Sequence, residues 1–280
     1  KRNIKNINQV NKLTKSIKKI FNDPFYPILI DEEGGSVTRI NNIVDNSIFS
    51  GKFFGDLYKE NIQKFNFFYK VYVDQISYVL NSIGVNINTV PILDIKRNFS
   101  HKIIWDRAYS NNKKIVNKIG DVTINLFKKN KIGTVIKHIP GHGLSRKDTH
   151  LNLPYILDNL KYLEKNDFSV FKNKKSMFAM TAHIVFKALD ENDCVTHSKK
   201  SISYIRNKIG FKNLIISDDI SMKALKYEFS ENVRRAFAAG CNLVLHCSGN
   251  MKEMNSLAKI SPKLDQFIIK KTSEFYEHLS

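Results

Sequence analysis

The sequence predicts an α/β protein, a single-domain (β/α)8 barrel over residues 1–280. Short Ile- and Val-rich runs alternate along the chain with amphipathic, Lys-rich stretches, the pattern of parallel strands joined by crossover helices. The chemistry-bearing residues Asp31, Asp94, Lys137 with His138, His183, Asp218 and His246 each fall at or just past the C-terminal end of an apolar run. A closed barrel collects such residues on one rim, whereas an open doubly wound sheet gathers its ligand at a single crevice. No Pro-, Gly- or Ser-rich linker interrupts the chain, so one domain is expected.

In chain order, a helix is expected over 8–20 and a strand over 26–30, where PILI runs into DEEGG. A long helix over 61–83 precedes a strand at 85–88, and a helix over 113–130 precedes a strand at 134–137. Helix 157–171 leads to strand 177–181, helix 201–208 to strand 214–217, and helix 232–239 to strand 243–246. The strands are continuously apolar, as strands covered on both faces are.

Composition bounds the function. Hydrophobic residues at 42% and charged residues at 25% describe a globular chain rather than a disordered or membrane one. A net charge of +19 suggests a polyanion partner, but the lysines are scattered among Asn and Ile, as AT-rich coding produces, and no nucleic-acid-binding pattern accompanies them. No nucleic-acid partner is therefore expected. Cys194, Cys241 and Cys247 form no CxxC pair, which reads as reduced thiols in a cytoplasmic protein. No apolar run reaches the ~18 residues of a membrane span, so no membrane partner is expected. The chain starts KRNIKNINQV, without a Met or a signal-peptide core, as a piece whose start lies upstream would.

Four clusters carry the chemistry. In DEEGG at 31–35, Asp31 faces the rim as an acceptor for hydroxyls, and the paired glycines serve either close approach to a ligand or a tight turn. In WDRAYS at 105–110, Arg107 either clamps an oxygen-rich ligand beside Trp105 and Tyr109 or pairs with Asp106. SDDIS at 217–221 places one carboxylate at the barrel mouth, where neighbouring charge tunes its ionisation, while capping of the next helix accounts for the other.

The fourth, KHIPGHGLSRKDTH at 137–150, ends a strand with Lys137 and His138 in reach of a rim ligand. Pro140, Gly141 and Gly143 then give a flexible loop. Asp148 and His150 stand two apart, so an extended loop puts both on one face, where the carboxylate holds imidazole Nδ1–H and frees Nε2 for proton transfer. A zinc site would need a helix between His138 and His142, which Pro140 and Gly141 oppose, and no phosphate loop occurs. No metal or cofactor is expected, and His142 is left without a role.

These residues carry a resemblance. IDEEGGSVTRI, PILDI, WDRAY, KHIPGHG with DTH, MTAHI, IISDDISMKAL and AGCNLVL occur in the order and approximate spacing of glycoside hydrolase family 3. The chain resembles that family's single-domain bacterial β-N-acetylglucosaminidases, and KHxPGHG followed by DxH is the most specific part. The resemblance implies a (β/α)8 barrel and hydrolysis of terminal β-linked N-acetylglucosamine with retention. It also implies a cytoplasmic role in recycling cell-wall muropeptides, with a small N-acetylglucosamine-containing carbohydrate as partner. By motif position, Asp218 matches the nucleophile, His150 the general acid/base and Asp148 its orienting partner. Asp31, Arg39, Arg107, Lys137 and His138 match positions that grip the sugar hydroxyls.

An imidazole in place of the usual second carboxylate repels an anionic acceptor less, so phosphorolysis stands beside hydrolysis, and a non-catalytic sugar-binding barrel is a third reading. The chain departs from the family pattern at three places. Asn213 stands where Gly is usual and is expected to keep the turn by left-handed backbone, and Ser36 replaces a common Arg, which is expected to loosen packing. The family also has a strand and helix ahead of the position of Lys1, without which the barrel would lack an early stave.

Overall fold

All six apolar runs form strands and pair in one parallel sheet. The computed structural model describes residues 3–101, 104–146 and 152–279. Its strands are β1 (Leu29–Ile30), β2 (Ile87–Asn88), β3 (Gly133–Ile139), β4 (Tyr155–Ile156), β5 (Phe178–Thr181), β6 (Val185–Phe186), β7 (Leu214–Asp219) and β8 (Leu243–Leu245). Its helices are α1 (Ile7–Ile20), α2 (Gly51–Glu60), α3 (Ile62–Ser82), α4 (Lys113–Lys129), α5 (Leu160–Lys165), α6 (Lys199–Tyr204), α7 (Phe229–Ala239), α8 (Met251–Ile260) and α9 (Gln266–Leu279).

The sheet does not close into the expected (β/α)8 barrel. It is a six-stranded half-barrel in the order β1-β2-β3-β5-β7-β8, and among the described residues no pairing joins β1 to β8. Two further staves would be needed to close it. The two remaining strands pair with each other instead, Tyr155 opposite Val185 and Ile156 opposite Phe186, outside the main sheet. Alternating apolar runs fix strand type and direction, but they do not fix how many staves a sheet has.

The two faces of the sheet are filled differently. Ile30, Ile136, Ala179 and Ile215 point to the helix layer and share a core with Phe65, Val73 and Leu80 of α3 and Val116, Ile119 and Phe127 of α4. Ile87, Val135, Phe178, Met180, Leu214 and Ile216 point the other way, and there Ile268, Phe275 and Leu279 of α9 pack on them. The Phe275 and Phe178 rings meet edge to face at 5.5 Å. A closed barrel fills its interior with strand side chains alone. Here a helix does so, at the end of the sheet opposite the strand C-termini.

Local sequence explains the helix starts. Asn6, Asn61, Asn112, Asn159 and Asn250 are N-caps whose side chains accept backbone N–H groups of α1, α3, α4, α5 and α8. Part of the Asn excess is therefore structural. The expected 157–171 helix breaks after Lys165 and resumes as a 3₁₀ turn at Asp167–Phe171, while the 201–208 helix ends in a π turn at Ile205–Ile209.

α2 presses its backbone onto the segment before α4. A Cβ on Gly55 would lie 1.6 Å from the Tyr109 carbonyl oxygen, and one on Gly51 would lie 2.1 Å from that of Arg107. Alanine at Gly55 gains about 1 kcal/mol of helix propensity, yet the backbone must retreat. Gly55→Ala is thus expected to destabilise by about 1–3 kcal/mol net, read as a lower thermal midpoint. A raised midpoint would show that α2 does not sit this close.

Candidate active site

Period-two alternation carries the inner face of the sheet into its C-terminal rim. Beyond Leu29, Ile87, Val135 and Ile216 on that face come Asp31, Thr89, Lys137 and Asp218. The Lys137 ammonium, with a side chain only 2% exposed, lies 2.5 Å from Asp31 Oδ1, 2.5 Å from Glu33 Oε1 and 2.8 Å from Thr89 Oγ1. Thr89 Oγ1 also meets Asp31 Oδ1, and Arg39 Nη2 reaches Asp31 Oδ2 at 3.1 Å. Burial alone would raise the Asp31 carboxyl. The charge and hydrogen bond of Lys137, with Thr89 and Arg107, instead hold it well below the usual carboxylate range. Burial would likewise lower the Lys137 ammonium, and Asp31 and Glu33 more than offset it.

Arg107 pairs with Glu33 rather than with Asp106. It forks onto buried Glu33, Nε at 2.7 Å from Oε2 and Nη2 at 2.8 Å from Oε1. Asp106 meanwhile accepts the Ser36 N–H at 3.0 Å and its hydroxyl at 2.8 Å, so Ser36 is tied in place rather than loosened. The middle acid of DEEGG faces away from the rim. Glu32 accepts Arg39 N at 2.6 Å and Ile40 N at 3.1 Å and shapes the following loop. Gly34 and Gly35 have φ of 79° and 61° and pack on Phe49 and Ser50, which is the tight-turn role.

His138 is buried and bound to Asp94, Nδ1 at 2.7 Å from Oδ2, while Asp94 Oδ1 accepts the backbone N–H of His142 at 2.7 Å. The loop after His138 is not loose at its start. Ser100 Oγ donates to Gly143 O at 2.6 Å, His101 N to Ser145 O at 3.0 Å, and a Cβ on Gly143 would meet Ile95 O at 2.0 Å. Pro140 to Ser145 therefore form a packed ledge, and the glycines there allow contact rather than mobility. Burial pushes the His142 imidazole down to about 4, so it is neutral.

The two aspartates of β7 take different roles, but neither caps the next helix, which begins only at Phe229 with Glu228 as its N-cap. Asp219 Oδ1 accepts Ser221 N at 3.0 Å, Ser221 Oγ at 2.7 Å and Cys247 N at 3.1 Å, which ties down the turn after the strand. Asp218 is half-buried at the rim, with Oδ1 accepting the Asp219 N–H at 2.7 Å. Burial would raise its carboxyl, but the charges of His138 and His183, the Asp219 N–H and Lys137 bring it below the usual value. His183 stands beside it, Nε2 at 3.1 Å from Asp219 O and Nδ1 at 2.8 Å from Thr196 Oγ1. A carbonyl only accepts, so Nε2 carries the proton and Thr196 donates to Nδ1.

Asp148 and His150 lie outside the described residues. His246 is drawn off the rim by Glu253 at 2.7 Å and Ser248 at 2.8 Å. Asn213 does not use left-handed backbone; its amide donates to Ser176 O at 2.9 Å. Sequence reasoning passed over Thr89 and Glu33, both of which meet the Lys137 ammonium beside Asp31. Cys194, Cys241 and Cys247 are unlinked, and burial pushes the thiols of the first two up to about 11 and about 12. Among the described residues no three His, Cys, Asp or Glu side chains could hold a metal ion, and no helix is long and apolar enough to cross a membrane.

A parallel half-barrel whose strand C-termini gather an ionised aspartate and a charge-paired polar cluster defines an α/β enzyme with its site on one rim. The profile of the glycosyl hydrolase family 3 N-terminal domain matches residues 1–272, and the chain belongs to that family. It is a glycoside hydrolase. It is 29% identical over 256 residues to a β-hexosaminidase of Nitrosomonas eutropha, covering 88% of this chain and 72% of that protein. A β-hexosaminidase of Photobacterium profundum is 29% identical over 279 residues, covering 96% of this chain and 80% of the relative. A family 3 β-N-acetylglucosaminidase from Paenibacillus sp. str. FPU-7 superposes with a TM-score of 0.82 at 25% identity, over 99% of this chain and 54% of that one. Native NagZ from Neisseria gonorrhoeae, at 24% identity and a TM-score of 0.82 over 98% of this chain and 79% of its own, shares the fold. The chain spans about half of the Paenibacillus protein.

Proposed function

We propose that the chain is a retaining exo-β-N-acetylglucosaminidase that removes terminal β-linked N-acetylglucosamine from peptidoglycan-derived muropeptides in the cytoplasm. The observation that carries this reading is Asp218, a half-buried carboxylate at the end of β7 kept ionised by His138, His183 and Lys137. In the first step its carboxylate oxygen attacks the anomeric carbon and His150, oriented by Asp148, gives a proton to the departing oxygen. In the second, His150 takes a proton from water as the water oxygen attacks the anomeric carbon and the ester bond to Asp218 breaks. Half-exposed Asp31 and Arg39 meet the sugar hydroxyls directly, and His138 joins them from the neighbouring strand. Lys137 and Arg107 act one step back in this reading, holding Asp31 and Glu33, because their charged groups already meet carboxylates. The kinship with β-hexosaminidases and a family 3 β-N-acetylglucosaminidase supports the substrate class.

A chromogenic β-N-acetylglucosaminide tests the reading. Turnover in phosphate-free buffer is expected, and His150→Ala should slow it by about 10²–10⁴-fold. Turnover only when phosphate is added would make the protein a phosphorylase. Sugar binding without turnover in either buffer would make it a binding protein.

A further inference from the structure

We propose that Asp94 is the positioning residue that fixes His138 as its Nδ1–H tautomer, so that His138 Nε2 is a hydrogen-bond acceptor for a substrate hydroxyl. The proposal rests on the reading of this rim as a glycosidase site. Asp94 is fully buried just after the loop that follows β2, and its carboxyl lies below its usual value because the charges and hydrogen bonds of His138 and His142 outweigh its burial. An ionised carboxylate only accepts. With Oδ2 at 2.7 Å from His138 Nδ1, the shared proton is on Nδ1, and a neutral ring then has its lone pair on Nε2.

The neighbouring imidazole is set the other way. His183 faces the Asp219 carbonyl with Nε2, which must therefore donate, while Thr196 donates to its Nδ1. When neutral, the His138 and His183 imidazoles are thus opposite tautomers, one chosen by a carboxylate and the other by a carbonyl. His183 is satisfied within the protein at both nitrogens, whereas among the described residues the His138 ring is hydrogen-bonded at Nδ1 alone, to Asp94. Asp94 Oδ1 adds the backbone N–H groups of His138 at 3.2 Å and His142 at 2.7 Å, so a single carboxylate sets both the ring and the ledge beneath it. The ring also faces the His142 imidazole at 5.4 Å between centroids, and Lys137 precedes it in the strand.

The test is the ¹⁵N spectrum of the histidine-labelled protein, with His138 assigned by the signals lost in His138→Gln. At pH values where the ring is neutral, a protonated Nδ1 and an unprotonated Nε2 are expected, and saturating N-acetylglucosamine should shift Nε2 more than Nδ1. Asp94→Asn can turn its amide N–H toward the ring; it is expected to reverse the tautomer and raise the dissociation constant of N-acetylglucosamine about tenfold. A neutral wild-type ring protonated at Nε2, or one doubly protonated throughout the accessible pH range, overturns the assignment whether or not the protein turns over sugar. This holds even if Asp94→Asn fails to fold, because the wild-type spectrum decides it. An Nε2 signal indifferent to bound sugar overturns the acceptor role, and continued turnover would then leave the glycosidase reading standing.

Discussion

Asp218→Ala is expected to reduce turnover of a β-N-acetylglucosaminide by roughly 10⁵–10⁶-fold while the protein still binds N-acetylglucosamine. The expectation comes from where the carboxylate is and what surrounds it. Asp218 continues the inner face after Leu214 and Ile216, and its only role in the local backbone is to accept the Asp219 N–H among the described hydrogen bonds. Removing it leaves β7 intact and relieves the burial of a charge, so the thermal midpoint should hold or rise. Asp219→Ala is the matching control. It removes the acceptor for Ser221 and Cys247, and its loss of activity should track a loss of stability. Retention of more than about one per cent of wild-type turnover by Asp218→Ala would exclude the residue as nucleophile.

The legible part of this protein is its periodicity. Six apolar runs became six parallel strands, and the acids and bases at their ends met on one rim because alternation sends Asp31, Lys137 and Asp218 to the same face. Closure was not legible, since strand count and the fate of the edges depend on long-range pairing. α2 was hidden because GKFFGDLYKE carries two glycines, which weaken a helix by local propensity but serve here to bring backbones together. The same confusion affected the loop after His138. Gly143 reads locally as freedom, yet in three dimensions it is the point where the ledge touches Ile95. The residue types of the site were visible, but their partners were not. Lys137 meets Asp31 across 106 positions, and no local pattern names that pairing.

Glu33 is a second hidden partner of Lys137, and its removal should be felt throughout the rim. It stands two positions after Asp31, in the segment beyond β1, and is 3% exposed at its side chain. It receives Arg107 on both carboxylate oxygens and Lys137 on Oε1. Two buried cations therefore share one buried anion. Glu33→Ala takes the carboxylate from between them and is expected to cost about 3–5 kcal/mol in denaturant unfolding, the range for breaking a buried ion pair. Glu33→Gln keeps the shape and one accepting oxygen, so it should cost less and separate charge from packing. The effect should also reach the sugar. Without the Glu33 charge, Asp31 would be the one anion left on Lys137 among its described partners, and the Michaelis constant should rise in Glu33→Gln with a smaller change in turnover number. Were Glu33→Ala to lose less than about 1 kcal/mol, the cluster would be a surface network screened by water rather than the buried frame that holds Asp31 at the rim.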